Sequence, residues 1–302
     1  MRKGCLVIGA AMLDIIMEID RLPLSGEDMY AKTQSMTVGG CAYNVAGILK
    51  HFRAAYTLFA PVGTGMYASF IEKELKRSGH ESPVKSETSD NGYCLCLVEA
   101  DGERTFLTLP GIECRFEKEW FARLDTDRYD SAYVSGYELE GEGGSVILDF
   151  LESHPEFTVY YAPGPRITYI SEEKTNRMMA LAPVMHLNER EALAFTGKGT
   201  AEEAAVELTE QTRNTVLITL GERGVYLWEN GKGRVIPAEK AEVIDTIGAG
   251  DSHIGAVIAL RQSGEGWEET LRAANRVSAM VVSVKGPALT EEEFEKGRKI
   301  DG

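Results

Sequence analysis

The stretch DTIGAGDSHIGA, residues 245–256, packs turn-forming and acidic residues into a run that then becomes apolar. Gly248, Ala249 and Gly250 are small enough to bring the backbone close to a ligand, and Ile254, Val257 and Ile258 behind them have the spacing of a helix packed on a core. The run therefore opens a helix. The first amides of a helix lack intrahelical partners and carry the positive end of the macrodipole, so this mouth suits a phosphate or a developing oxyanion, with Asp251 standing in it. An Asp here serves equally well as an N-terminal cap beside a tight turn, so the motif has to be read with its surroundings.

Those surroundings are a chain of 302 residues, 43% of them hydrophobic, long enough to bury a large core as one α/β domain over residues 1–302. A formal net charge of −15 without a run of Lys or Arg lacks the basic footprint that nucleic acid or an anionic membrane requires, which leaves a small molecule as the expected partner. Cys5, Cys41, Cys94, Cys96 and Cys114 are odd in number and lack zinc-ligand spacing. The N-terminal apolar run is too short for a signal peptide or a membrane span, so the expected setting is cytoplasmic, without disulfides.

Short apolar runs alternate with amphipathic ones along the chain. CLVIGAA, YTLFAPVG, SAYVSG, FTVYY, VMHL and TVLITL read as buried strands, with helical spacing between them at Val45, Ile48, Leu49 and Phe52 and at Phe70, Ile71 and Leu75. Such alternation implies a parallel sheet with helices on both faces. Two stretches break it. YCLCLVEADGERTFLTL is a hairpin turning at Asp101-Gly102, and the segment from about 15 to 38 is polar and extended, so the pair of segments, 15–38 and 92–109, forms a small sheet apart from the core.

Other phosphate-binding signatures fail. The GKG runs at 197–199 and 231–233 have Ala192 and Tyr226 where a P-loop needs its first glycine, and VIGAAMLD supplies only Gly9 of the dinucleotide fingerprint. Cys41, behind Gly39-Gly40 at a helix start, is placed for an activated thiolate, although a small buried cysteine also simply fills space.

VGGCAYNVAG, HLNEREA, TLGERGVYL and RAANRVSAMVVSVKG stand around DTIGAGD in an order that resembles the ribokinase-like (PfkB) carbohydrate kinase family over essentially the whole chain. The resemblance implies a ribokinase-like fold whose small sheet is a lid, and transfer of the γ-phosphate of ATP to a hydroxyl of a sugar or related polyol. Asp251 matches the family's general base, and Gly248, Ala249 and Gly250 its anion hole. Asp14, Gly40 and Asn44 match residues that grip acceptor hydroxyls, with Asp14 expected at the carboxyl end of the first strand, and Arg104 and Glu138 are further candidates for substrate contact. Asn188, Thr219, Gly221, Gly224 and Asn275 match ATP-binding positions. Glu191 matches a residue that places Mg2+ through water, and Asp245 with the Ile247 carbonyl matches a monovalent-cation site that would hold K+. Read without the family, Asn188 and Glu191 are a capping box, Asp245 a turn cap, Asp14 a turn acid, and Arg104 and Glu138 surface charges.

The departures concern the acceptor. APGPR, residues 162–166, lacks the acid and amide of the D-P-N-x-R motif found in many sugar kinases of the family, Cys41 replaces the Lys common in ribokinases, and His253 stands where an aromatic is usual, within reach of an acceptor or packed in the core. A nucleoside acceptor, pseudouridine-type included, is the alternative within the family, and a non-catalytic sugar- or nucleoside-binding module the alternative outside it. The lid also suggests a homodimer, since a hairpin standing off the core exposes an apolar face.

Overall fold

Cys5, Leu6, Val7 and Ile8 are all buried, so the first strand, β1 (Gly4–Ile8), meets apolar neighbours on both faces and must lie inside a sheet covered on both sides. The computed structural model describes residues 3–299. Beyond β1, strands β2 (Met12–Glu18) and β3 (Thr33–Gly39) lead into α1 (Cys41–His51), and β4 (Tyr56–Phe59) into α2 (Met66–Ser78). The hairpin β5 (Tyr93–Val98) and β6 (Arg104–Leu109) precedes α3 (Lys118–Phe121), and β7 (Tyr129–Ser135) precedes α4 (Gly136–Glu140) and α5 (Gly144–Glu152). Then come β8 (Thr158–Ala162), α6 (Glu172–Ala180), β9 (Val184–Asn188), α7 (Glu189–Thr196), α8 (Ala201–Thr212) and β10 (Val216–Thr219). The chain continues through β11 (Val225–Glu229), β12 (Lys232–Ile236), α9 (Ala249–Ser263), α10 (Trp267–Val282) and α11 (Glu291–Lys299).

The main sheet runs β12-β11-β10-β9-β8-β7-β1-β4. Alternate residues divide between two cores. Cys5 and Val7 pack with Val45 and Leu49 of α1, Ile254 and Val257 of α9 and Leu271 of α10, while Leu6 and Ile8 pack with Leu148 of α5, Met178 of α6 and Leu208 of α8. Strands β4, β1, β7, β8, β9 and β10 are parallel throughout, as the alternation predicts. The sheet as a whole is not. β11 and β12 are antiparallel at one edge, joined by Asn230 and Gly231 at φ 51° and 73°, a left-handed pair suited to a two-residue hairpin that needs no crossover helix.

The segments read as extended form a separate four-stranded sheet, β3-β2-β5-β6. Its first strand starts at Met12, ahead of the expected boundary near 15, because the chain turns at Gly9 (φ 157°) directly after β1. β2 pairs with β3 antiparallel and with β5 in parallel, so the hairpin joins the earlier segment edge to edge. Phe106, Leu107 and Leu109 on β6 are more than half exposed. Among the described residues no helix is long and apolar enough to cross a membrane.

Candidate active site

The mouth of α9 is built by one left-handed glycine. Gly248 caps the helix at φ 77°, and a Cβ there would lie 2.5 Å from the carbonyl oxygen of Pro287. The amide of Ser252 donates to the Gly248 carbonyl at 2.8 Å and opens the helical ladder, so the amides of Gly250 and Asp251 precede it, while a Cβ on Gly250 would meet open space. Asp251 is the third residue of the helix and makes no capping bond, which removes the cap reading.

The Asp251 carboxylate instead accepts from Asn44 Nδ2 of α1 at 2.8 Å, with the Cys41 thiol as a neighbour that lowers its pKa. Two glycine-permitted approaches put α1 there. Gly40 (φ 106°) starts it with no room for a Cβ against the Ala10 carbonyl at 2.6 Å, and a Cβ on Gly255, one turn beyond Asp251, would lie 2.9 Å from Ile48, one turn beyond Asn44. Burial raises the Asp251 carboxyl above its ordinary range although Asn44 and Cys41 pull it down. Burial and the charges of Asp251 and Glu138 drive the Cys41 thiol well above its usual value, so of the two readings of Cys41 the protonated, space-filling thiol is favoured over the activated thiolate. Asn44 Oδ1 is buried without a hydrogen-bond partner.

Asp14 is not at the end of the first strand. The turn at Gly9 moves it to the third position of β2, in the small sheet, with its carboxylate against the backbone of Gly39, where a Cβ would stand 2.2 Å from Oδ2. Burial pushes it up to about 6. Glu138, a candidate for substrate contact, is buried at 4% exposure: it accepts from the amide of Ala10 at 3.0 Å and from the Ser135 hydroxyl, holding the turn that follows β1. Arg104 is not a lone solvated surface charge. It reaches from β6 to Asp245, Nη1 to Oδ1 at 2.9 Å and Nη2 to Oδ2 at 3.1 Å.

At the neighbouring strand ends, Asn188 caps α7 and forms a reciprocal capping box with Glu191: Oδ1 accepts from the Glu191 amide at 2.8 Å, and the Glu191 carboxylate accepts from the Asn188 amide at 3.0 Å and from Nδ2 at 2.7 Å. Burial first, and then the charge of Asp251, raise the Glu191 carboxyl. Among the described residues no three His, Cys, Asp or Glu side chains cluster as a direct metal cage. Thr219 ends β10 with its hydroxyl toward the Leu187 carbonyl at 3.4 Å. Gly221 is left-handed (φ 62°) with open space where a side chain would be, whereas Gly224 (φ 100°) is required by the Ile236 carbonyl 2.0 Å from its Cβ position.

Asn275, a candidate ATP-binding residue, is buried within the fold. Its Nδ2 donates to the carbonyls of Ile236 and Pro237 at 3.1 and 2.9 Å, so Oδ1 is left as an acceptor for His253 Nε2 at 3.2 Å. Its amide thus has partners on both ends within the fold. His253 then carries its proton on Nε2 and accepts at Nδ1 from His186 Nε2 at 2.9 Å, a tautomer chain fixed by Asn275. Burial lowers both rings, His253 to about 4, so the pair is neutral and belongs to the core rather than to the acceptor. His186, in the middle of β9, carries no sequence signal for this role. Tyr137 is half exposed directly after β7, beside Arg166.

A family model described as pfkB family carbohydrate kinase matches residues 2–293. The uncharacterized sugar kinase YegV of Escherichia coli (strain K12) is 35% identical over 299 residues, covering 97% of this chain and 93% of that one. Among solved structures, ribokinase of Thermotoga maritima superimposes with a TM-score of 0.84 at 20% identity, covering 98% of this chain and 99% of that one. Ribokinase of Arabidopsis thaliana, complexed with ribose and ATP, does so with a TM-score of 0.82 at 22% identity, covering 99% of each.

Proposed function

From the premise that the chain belongs to the pfkB family of carbohydrate kinases, and is thus an ATP-dependent carbohydrate kinase, we propose that it phosphorylates a hydroxyl of a sugar or related small polyol with Asp251 as general base. The acceptor oxygen attacks the γ-phosphorus of ATP, the bond from that phosphorus to the bridging oxygen breaks, ADP leaves with the electron pair, and the hydroxyl proton passes to Asp251. The amides at 248–251 receive the developing charge on the transferred group.

The observation that carries this reading is the Asp251–Asn44 pair: a buried carboxylate at a helix mouth, raised above its ordinary range, beside a buried amide oxygen with no partner. An ionised carboxylate only accepts, and the Asn44 oxygen only accepts, so the missing component is a hydroxyl donor. Asp14, lifted by burial to about 6, supplies a third acceptor on the lid side. Mg2+ on the nucleotide phosphates would neutralise charge as transfer proceeds. Glu191 fits an indirect role toward it, because the capping box leaves its carboxylate half engaged and suited to a water of the ion's shell. The backbone at Gly221, open on its Cβ side, suits the approach of a nucleotide. The exposed apolar residues of β6 support pairing of two lids in a homodimer, which light scattering on the intact and hairpin-trimmed protein would test.

ADP release with Mg2+ and ATP across free sugars, sugar phosphates and nucleosides tests the reading. A sugar or polyol as best acceptor supports it, a nucleoside shifts it to the alternative within the family, and no release with any acceptor overturns transfer.

A further inference from the structure

Arg104 and Asp245 lie 141 residues apart and are joined by two parallel hydrogen bonds. The Asp245 side chain is 6% exposed, and each of its oxygens has a second donor: the amide of Ile247 to Oδ1 at 3.0 Å and the amide of Gly286 to Oδ2 at 3.2 Å. A carboxylate offers about four lone-pair directions. All four here point at N–H groups. A bare monovalent cation needs those lone pairs for itself and gains nothing from inward-pointing N–H dipoles, whereas the planar fork of a guanidinium matches a carboxylate edge to edge. The Asp245 carboxylate therefore does not fit the K+ that the family resemblance implies.

We infer that Arg104 is the built-in counter-cation of Asp245, occupying the place an external monovalent ion would need, so that the small sheet is latched to the 245–251 loop by a side chain instead of an ion. Arg104 opens the outer strand of the hairpin, and Asp245 begins the loop that leads through Ile247 into the mouth of α9. Closing the hairpin therefore brings a positive charge to the loop and fixes its backbone. Opening it leaves Asp245 facing two amides alone. The protein has no need of potassium as long as Arg104 is present, and the Asp245 carboxyl is held below its ordinary range because Arg104 and the two amides outweigh its burial.

The test reads melting of the intact protein without ATP or acceptor, so its outcome is separate from that of the transfer chemistry on which the functional meaning of the latch rests. Wild type, Arg104→Gln and Arg104→Lys are melted in potassium chloride and in tetramethylammonium chloride at equal ionic strength. Wild type and Arg104→Lys should melt alike in the two salts. Arg104→Gln should melt lower in tetramethylammonium and regain about 2 °C or more specifically with potassium. A potassium-specific rise in wild type overturns the inference, as does indifference of Arg104→Gln to the salt. If Arg104→Gln does not fold in either salt, wild type and Arg104→Lys decide alone: a potassium-specific rise in either overturns the latch, and its absence in both upholds it.

Discussion

Asn44 and Asn275 are both buried, both sit on helices packed against α9, and are used in opposite ways. On the α1 side, Asn44 donates to Asp251 and keeps its oxygen unpartnered, beside carboxyls that burial has raised. On the α10 side, Asn275 has partners for Nδ2 and Oδ1, and the histidines beyond it are neutral and mutually bonded. A buried polar group left without a partner costs free energy, and at Asn44, beside a buried carboxylate at a helix mouth, we read it as the place of a ligand hydroxyl. Asn275, whose bonds close inside the chain, we read as scaffold. The contrast between the two residues, a proposed acceptor contact on one side and core on the other, is what the substitutions below test.

The largest effect should come from Asp251→Asn. The amide keeps the size and the contact with α1 but cannot take the hydroxyl proton, and loss of a general base costs roughly 10²–10⁴-fold in turnover. Melting temperature should hold or rise, because Asp251 does not cap its helix and its buried charge is removed. Turnover near wild type, measured on the best acceptor, would falsify the assignment of the α1 side as the site of chemistry.

Asn44→Ala should lower kcat/KM for the acceptor by about 10–100-fold, the range for a hydrogen bond involving a charged group, with little change in ATP affinity. Asn275→Ala should do the reverse. It strands two carbonyls and His253 Nε2 in the core, which costs about 2–3 kcal/mol and lowers melting by roughly 4–10 °C, while the folded fraction keeps most of its turnover. If Asn275→Ala proved the stable and inactive one of the two, the comparison would be inverted.

The sequence reveals the two regions unequally, for a physical reason. Strands buried on both faces announce themselves as unbroken apolar runs, so β1, β4 and β7 to β10 are readable, as are the hairpin at Asp101-Gly102 and the glycines of the α9 mouth. β11 and β12 lie in a stretch whose glycines draw attention to nucleotide binding, although the Asn-Gly pair at 230–231 is itself a hairpin signal. Contacts across sequence have no such local mark. Nothing around Arg104 points to Asp245, nothing around His186 points to His253, and Asp14 is misplaced because a single turn at Gly9 decides which sheet it joins. Residue identities at the site are local information. Whether each faces a ligand or a neighbour depends on packing between distant segments.

The smallest effect belongs to Asp14, the carboxyl we propose meets the acceptor from the small sheet. Its ordinary value of 3.8 is raised to about 6 by burial. Below about pH 4 both folded and unfolded chains hold the proton, and the group costs nothing. Between about 4 and 6 the unfolded chain releases it while the folded chain keeps it, so the native state binds more protons and stability falls as pH rises; above 6 the loss is complete and constant. Asp14→Asn removes that dependence. Relative to wild type the variant should gain stability between pH 4 and 6 and hold the gain at pH 7, by about 1 kcal/mol or some 2–4 °C, since the side chain keeps part of its hydration. Acceptor affinity should move the other way: in wild type it improves through pH 6 as the carboxylate forms, and in Asp14→Asn that improvement is absent. Melting curves and acceptor titrations at pH 4.5, 6 and 7.5, roughly bracketing the transition, measure both. A variant offset that is flat with pH would place Asp14 with the satisfied scaffold groups, and the unsatisfied region would then be confined to α1 and α9.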